Sequence, residues 1–478
     1  MDVDAALSAQ ASMVAAALDA RSSPRRNDAA RWRKDSAQKG EDMNRGMHRA
    51  AGRSALLIGA VAAMTVAIPA RGDPGESGRN DADPCYKLIN LALLGGDAWS
   101  EGAALNDAGA AVGFEFLSPI QTHEGCYWAI DGVEYLPPLR TGHYLSSARD
   151  LNESDQAAGW SSGHPMGGER LAVRWTRLSE PERDVWVAED LGLPSPAEAW
   201  AINNLSRIVG FSFSGAFLWD EVDGATLLPP NLDDDYAMAH DLAEGEPTWI
   251  VGYSDRFESA DQDVAVLWEI VEDGISTMPL PWFGGATHAY GISDDRSFIV
   301  GAEGTFDMVP GERQVMLWVW ENSREWFVPI ALGTLGGSVA EGLAVNDDGI
   351  VVGNSETAGG GLHGFVAQYQ EDEPAELFDL NDVLLPTQTD RWVVMTANDV
   401  NASGRIAGTG IIDGELRAIL LNPCPADVNL DDVVDVSDLL DLIAGWGLSG
   451  DMRQDVNGNA VVDVLDLLDL LAAWGPCG

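Results

Sequence analysis

Basic residues are scarce in this 478-residue chain: 28 Lys and Arg face 76 Asp and Glu, a formal net charge of −48. Residues 1–72, which read as a leader, carry much of the positive charge. Residues 73–478 hold 17 basic and 69 acidic residues, and Lys87 is the only lysine among them. So negative a surface repels nucleic acid and anionic membranes, which excludes both as partners. It tolerates salt and attracts divalent cations, although an acidic bias that merely serves solubility is the plainer account. Cysteine is rare as well. Cys85, Cys126, Cys424 and Cys477 form no CxxC pair, which argues against zinc and dithiol chemistry. Their positions suggest one bridge from Cys85 to Cys126 and another from Cys424 to Cys477, and disulfides imply an oxidising compartment. Long apolar runs are missing: Ser54 to Ile68 is too short for a comfortable membrane span. HExxH and Walker motifs are also absent.

The short apolar run reads instead as the core of a signal peptide. Met47-His48-Arg49 and Arg53 precede it, and Ala70-Arg71-Gly72 offers small residues at −3 and −1 of a cleavage site before Asp73. Residues 1–42 are polar, Arg-rich and Ala-rich, so either translation starts at Met43 or Met47 or the n-region is long. On this reading 1–72 is a leader, 73–84 a linker, 85–423 the body and 424–478 a tail, and the mature protein is extracellular or attached to the cell surface.

The tail is a duplication. DVNLDDVVDVSDLLDLIAGWG (427–447) returns as DVNGNAVVDVLDLLDLLAAWG (455–475), with 15 of 21 positions identical. Side-chain oxygens recur at loop positions 1, 3, 5, 9 and 12: Asp427, Asn429, Asp431, Asp435 and Asp438, then Asp455, Asn457, Asn459, Asp463 and Asp466. Position 7 is Val433 or Val461, whose carbonyl is a further donor. Calcium takes six to eight hard oxygens, and a twelve-residue loop encloses it when alternate residues point inward and the last ligand opens a helix. The helices are expected from LLDLIAGW and LLDLLAAW, with Leu439, Leu442 and Ile443 on one face and Leu467, Leu470 and Leu471 on its equivalent. Two Ca2+ ions are therefore expected.

This pattern resembles the dockerin type I domain over residues 424–478. The resemblance implies a cohesin-like partner, or another cell-surface component, recognised through positions 10 and 11. Here those are Val436-Ser437 and Val464-Leu465, more apolar than the usual hydroxyl-bearing pairs. Position 6, usually glycine at positive φ, is Asp432 and Ala460. Alanine tolerates that conformation less well than aspartate, and the second loop has one carboxylate fewer, so it is expected to be the weaker site. A Cys424–Cys477 bridge would close a loop worth roughly 4 kcal/mol in chain-entropy models.

The body carries a weaker repeat, clearest as ALGTLGGSVAEGLAVNDDGIVVGNS (331–355) followed by HGFVAQY (363–369). Its marker glycines are Gly113, Gly159, Gly210, Gly252, Gly301, Gly353 and Gly408. Periods of this length with about four short strands each predict a mostly β fold, a seven-bladed β-propeller over 85–423, in preference to a solenoid, which would need caps that the sequence does not show. Each unit reads as strand, Gly-Gly loop, strand, Asn/Asp turn, strand, variable loop and a Trp-ended fourth strand. The LGTLGG and IN-x-x-G-x-VVG elements resemble the bacterial extracellular HAF repeat, which implies an extracellular β-rich body and no particular activity.

Chemistry in the body is harder to read. His123, His143, His164, His240, His288 and His363 have no recognisable partners, although His240 and His288 fall where a central channel would run. Trp219, Trp268 and Trp318 read as packing residues; Trp200, Trp249 and Trp282 lie near loops and suit stacking on sugar rings. No catalytic residue is nominated. The expected function is a secreted, non-catalytic binding or scaffold protein with a calcium-dependent docking tail, with polysaccharide a candidate ligand of the propeller. The alternatives are a propeller-type glycoside hydrolase or lyase anchored by its tail, and an acidic cell-envelope structural protein.

Overall fold

The computed structural model describes residues 86–477 apart from 92–98, 118–121, 130–131, 164–168, 180–183, 232–233, 256–262, 272–273, 306–310, 372–374 and 451. The leader, the linker, Cys85 and His164 lie outside the described residues.

Short strands separated by Asn, Asp and Gly turns fold into consecutive antiparallel meanders. Strand β1 (Lys87–Asn90) comes first and is used last. It is followed by β2 (Trp99–Leu105), β3 (Ala111–Leu117), β4 (Thr122–Ala129) and β5 (Gly132–Tyr135). Next come β6 (Leu145–Leu151), β7 (Gln156–Ser162), β8 (Arg170–Leu178) and β9 (Val185–Asp190). These two meanders share one sheet through a single parallel contact, His123 to Leu145. Separate four-stranded sheets come after them. The first is β10 (Ala197–Ile202), β11 (Ile208–Ser212), β12 (Gly215–Asp220) and β13 (Gly224–Leu227). The next is β14 (Tyr236–Leu242), β15 (Trp249–Asp255), β16 (Val264–Val271) and β17 (Gly274–Pro279). Then come β18 (Ala286–Ile292), β19 (Phe298–Gly304), β20 (Arg313–Glu321) and β21 (Trp326–Gly333). After them run β22 (Gly336–Val345), β23 (Ile350–Thr357), β24 (Leu362–Gln368) and β25 (Phe378–Asp379). The final sheet is β26 (Val393–Val400), β27 (Ile406–Ile412) and β28 (Glu415–Asn422), completed by β1 against β28.

The first strands of successive meanders pack side by side, β2 on β6, β6 on β10, and so on through β14, β18, β22 and β26, which returns to β2. A closed ring of outward-running meanders is a β-propeller, and closure removes the exposed sheet edges that an open array would leave.

Two details of the expected unit are corrected. The strand before the Gly-Gly loop, for example β21, pairs with β20 and so completes the preceding sheet. Consequently Trp219, Trp268 and Trp318 sit on third strands, β12, β16 and β20, where they are buried. A continuous repeat has no intrinsic starting point; only the pairing of its strands sets the phase. Offsetting that phase by one strand is what lets β1 close the ring.

The marker glycines have one shared reason. Each lies on a second strand opposite a β-bulge in the first strand, between Gly102 and Ala104, Ala148 and Asp150, and the equivalent positions elsewhere. A Cβ at any of the seven would lie 1.9–2.1 Å from a first-strand carbonyl oxygen, so only glycine fits. The repeat's asparagine has a second reason. Asn152 accepts from Ser154 and Gln156 N–H in its own turn and donates its amide to the Asn203 carbonyl of the next meander, 2.9 Å away. Asn203 reaches Ala243, Asn346 reaches Asn401, and Asn401 reaches Asn106 across the closure. The asparagine thus both shapes its turn and joins neighbours, with each buried bond worth about 1 kcal/mol.

The tail holds helices α1 (Val436–Ala444) and α2 (Val464–Ala472) and a two-stranded ribbon, β29 (Val433–Val434) and β30 (Gly475–Pro476). Its core is Ala426, Val428, Val434, Leu442, Val456, Val462 and Leu470. Leu439 and Leu467 pack against this core, but Ile443 and Leu471 are exposed, because the inward face of each short helix is one residue wide per turn. Cys424 and Cys477 form a disulfide. Cys126 is a buried free thiol, and its expected partner, Cys85, lies outside the described residues. Among the described residues, no helix is long and apolar enough to cross a membrane.

Candidate metal centre and central channel

In the first tail loop Asp427, Asp431 and Asp438 each place an oxygen within 4.8 Å of the others. The backbone makes this possible by folding around the carboxylates. Asp438 accepts from Val428 N–H (2.7 Å) and Asn429 N–H (3.0 Å) through Oδ1, and from Asp435 N–H (2.8 Å) through Oδ2. Asp427 accepts from Asp431 N–H through Oδ1 and from Asp432 N–H through Oδ2. Burial pushes the Asp427 carboxyl above its usual range, against the Asp432 N–H and the Arg405 guanidinium, which pull it down. Asn429 Oδ1 accepts from Asp431 N–H at 3.1 Å, which bends the loop at position 3.

The second loop repeats this arrangement. Asp455 accepts from Asn459 and Ala460 N–H, and Asp466 accepts from Asn457 and Asp463 N–H. Position 6 adopts the left-handed conformation in both loops, Asp432 at φ 67° and Ala460 at φ 68°. Position 4 does so as well, Leu430 at φ 64° and Gly458 at φ 68°, which nothing in the repeat pattern announced. Val433 and Val461 occupy position 7 with exposed side chains. Asp435 and Asp463 serve as helix N-caps, accepting from Ser437 N–H (2.6 Å) and Leu465 N–H (2.7 Å), and the position-12 aspartates complete a capping box at each helix.

The donor set fits a hard cation. It consists of carboxylates, carboxamides and carbonyls, four of the aspartates (Asp427, Asp438, Asp455 and Asp466) are almost wholly buried, and buried carboxylates packed this closely call for positive charge. The position 10 and 11 residues, Val436, Ser437, Val464 and Leu465, are exposed, and they extend into Leu440, Ile443, Trp446, Leu468, Leu471 and Trp474. These exposed apolar residues lie on the two helices and in the turns that follow them.

The channel of the propeller contains a second group of acids. A polar cavity of about 160 Å³ is lined by Asp150, Asp241 and Asp399 and rimmed by Asp107, Glu153, Glu244, Asp294 and Asp347. The three inner aspartates follow bulges, and both oxygens of each are used. Asp150 accepts from Leu151 and Ile202, Asp241 from Leu242 and Ile292, and Asp399 from Val400 and Leu105. They join adjacent meanders. Burial raises their pKa values, Asp241 to about 7 and Asp399 to about 6; burial and neighbouring acids carry Asp294 to about 7.

The bulge residues themselves touch around the ring. Trp200 packs on His240 with ring centroids 4.3 Å apart, and His240 meets Tyr290 edge-on at 4.9 Å. Next to them Asp263 Oδ2 lies 2.8 Å from His288 Nε2, whose Nδ1 lies 2.9 Å from the Tyr290 hydroxyl. This Asp–His–Tyr relay can draw a proton from the phenol. Burial holds His240 well below the usual imidazole range, so it is neutral, and its Nε2 makes no hydrogen bond among the described residues. Other expected candidates are structural. His123 is pushed to about 3 by burial and stacks on Phe114 and Trp160; His143 bonds Ser161; His363 pairs with Asp379 at 2.6 Å. Trp249 is packed between Trp320 and Phe327, and Trp282 is exposed beside Phe283.

No family model and no curated protein matches this sequence. Solved structures do. The β-propeller domain of the Trilobed protease from Pyrococcus furiosus is 10% identical, with a TM-score of 0.42 over 68% of this chain and 93% of that one. An ancestral GH74 enzyme is 11% identical, with a TM-score of 0.42 over 71% of this chain and 50% of that one. The α-L-arabinanase of Penicillium chrysogenum, solved with arabinobiose, is 8% identical, with a TM-score of 0.34 over 71% of this chain and 98% of that one.

Proposed function

We infer that this is a secreted protein in which a seven-bladed propeller of HAF-type repeats carries a type I dockerin. The tail binds two Ca2+ ions and offers its exposed helical face to a cohesin-like or cell-surface partner, with carbohydrate as the ligand class of the propeller. The observation that carries the reading is the matched hydrogen bonding of the two loops around Asp427 and Asp438, and around Asp455 and Asp466. In the first loop Asp427, Asn429, Asp431, Val433 and Asp438 would hold the ion, with Asp435 capping the helix behind it. The second loop would use Asp455, Asn457, Asn459, Val461 and Asp466, with Asp463 in the capping role. Calcium there neutralises buried carboxylates and so orders the helices that bear the exposed face.

Calorimetric titration of the mature chain is expected to give two calcium ions per chain, and one after Asp438→Ala. Absence of binding in the unmodified chain overturns the reading. A purified type I cohesin is the probe for docking: binding in calcium, lost in a chelator and lost in Leu440→Glu/Leu468→Glu, supports it, whereas no binding to the unmodified protein removes that partner class.

The Asp263–His288–Tyr290 relay favours a second reading, a carbohydrate-active enzyme held by its tail. Screening polysaccharides for released reducing ends or unsaturated products tests it. Activity lost in both His288→Asn and Tyr290→Phe supports the relay; activity retained in both removes it.

A further inference from the structure

We propose that the tail is also an intramolecular clasp, whose partner is the seam where β1 closes the propeller, and that calcium in the loops tightens this seam. The clasp rests on the calcium reading of the loops and adds a partner to it.

The ring is held shut where β1, from the start of the chain, pairs with β28, near the end of the body. Both loops of the tail sit on this seam. Arg405, in the turn between β26 and β27, is 1% exposed, and its Nη2 lies 2.7 Å from Asp427 Oδ2 and 2.6 Å from Asp432 Oδ1. Ser403 donates to Asp432 Oδ2 at 2.8 Å. Leu430 is buried with Ala407 and Leu420 of the seam sheet and touches Gly109, where a Cβ would come within 2.8 Å of it. At the second loop Lys87, on β1 itself and 1% exposed, donates to the Arg453 carbonyl at 2.5 Å. Thr387 donates to the Asn457 carbonyl at 2.7 Å, and Gln388 beside it holds both backbone groups of Leu88 in β1.

The contacts use the loops in the shape that a bound cation would favour. Asp432 reaches Arg405 from its left-handed conformation, and Leu430 reaches its pocket from the same. Arg405 bonds Asp427 through Oδ2, while Oδ1 accepts from Asp431 N–H within the loop. A cation that favours this loop shape therefore favours seating, and by linkage stabilises whatever seating stabilises. Lys87, the one lysine of residues 73–478, and Arg405 both find their use here.

The test is hydrogen exchange on the mature chain, with and without 2 mM Ca2+, following the amides of β1 and β28. In the unmodified protein, calcium is expected to slow exchange in β1 at least tenfold. In Arg405→Met, titration still finds calcium bound but the slowing in β1 is lost. Should Arg405→Met not fold, Thr387→Val/Ser403→Ala is read instead, with the slowing reduced. Calcium binding without any slowing in the unmodified protein overturns the clasp and leaves the calcium reading intact. Absence of calcium binding overturns both.

Discussion

Buried aspartates occur in two places, and they do opposite things. Those of the channel, Asp150, Asp241 and Asp399, stand one to a meander, and every oxygen already accepts a backbone N–H from its own turn or from the next meander. Those of the tail crowd together, three from one loop within 4.8 Å. Burial raises the channel acids until Asp241 and Asp399 share their protons with near-neutral solution. The crowded tail acids suit neutralisation by a metal. The tail aspartates also accept backbone N–H groups at both oxygens, so neither burial nor backbone bonding identifies a cation site; the spacing of the carboxylates does.

The largest expected effect is on calcium. Asp438→Ala removes a buried carboxylate that accepts three backbone N–H groups, and losing a charge-assisted group of this kind costs about 3 kcal/mol. Affinity at the first loop should fall by roughly 100-fold or more, with the second loop retained. Asp241→Ala at the channel should leave calcium binding unchanged but strand the Leu242 and Ile292 N–H groups, lowering stability by about 2–4 kcal/mol in chemical denaturation.

The pH response should separate the two regions by sign. Asp241, Asp294 and Asp399 have folded-state pKa values of about 7, 7 and 6, above an unfolded value of about 4. The folded body keeps protons that the unfolded chain releases. This contribution to stability is full below pH ~4 and is lost as pH rises towards ~7. Calcium affinity runs the other way, because ligand carboxylates must be ionised. Denaturation in chelator from pH 5 to 8 should show stability falling, with a shallower slope in Asp241→Asn. Calcium titration over the same range should show affinity constant or rising. An identical slope in Asp241→Asn would break the contrast.

The smallest effect concerns the two loops. Holding a Cβ at φ 68° costs Ala460 about 1 kcal/mol, and Asp432 at φ 67° is strained less because aspartate visits this region more readily. Ala460→Gly should therefore tighten the second site by roughly 5-fold, and Asp432→Gly should do no such thing, since it also removes the bonds to Arg405 and Ser403. Equal gains from both would mean that the loops differ in sequence only.

Local pattern made much of this legible. Alternating strands, turn asparagines and marker glycines announced a repetitive β fold, because each unit solves the same steric problem: one bulge and one close carbonyl. The clustering of Asp427, Asp431 and Asp438 was legible for the same reason, since oxygens at alternate positions of one loop meet without help from the rest of the chain. The strand phase was not, and Trp219, Trp268 and Trp318 were placed one strand too late, because phase is a matter of which strands pair. The relay of Asp263, His288 and Tyr290 was invisible too, with His288 and Tyr290 on one strand and Asp263 beyond another.

By itself, then, the sequence determined the repeats, the glycines beneath the bulges and two oxygen-rich loops, all products of chain-local geometry. Only the tertiary structure decided where those loops sit. Lys87 and Arg405 lie more than 300 residues apart, and closure of the ring brings them under the same tail. No local pattern encodes that meeting, because it depends on the two ends of the body sharing one sheet.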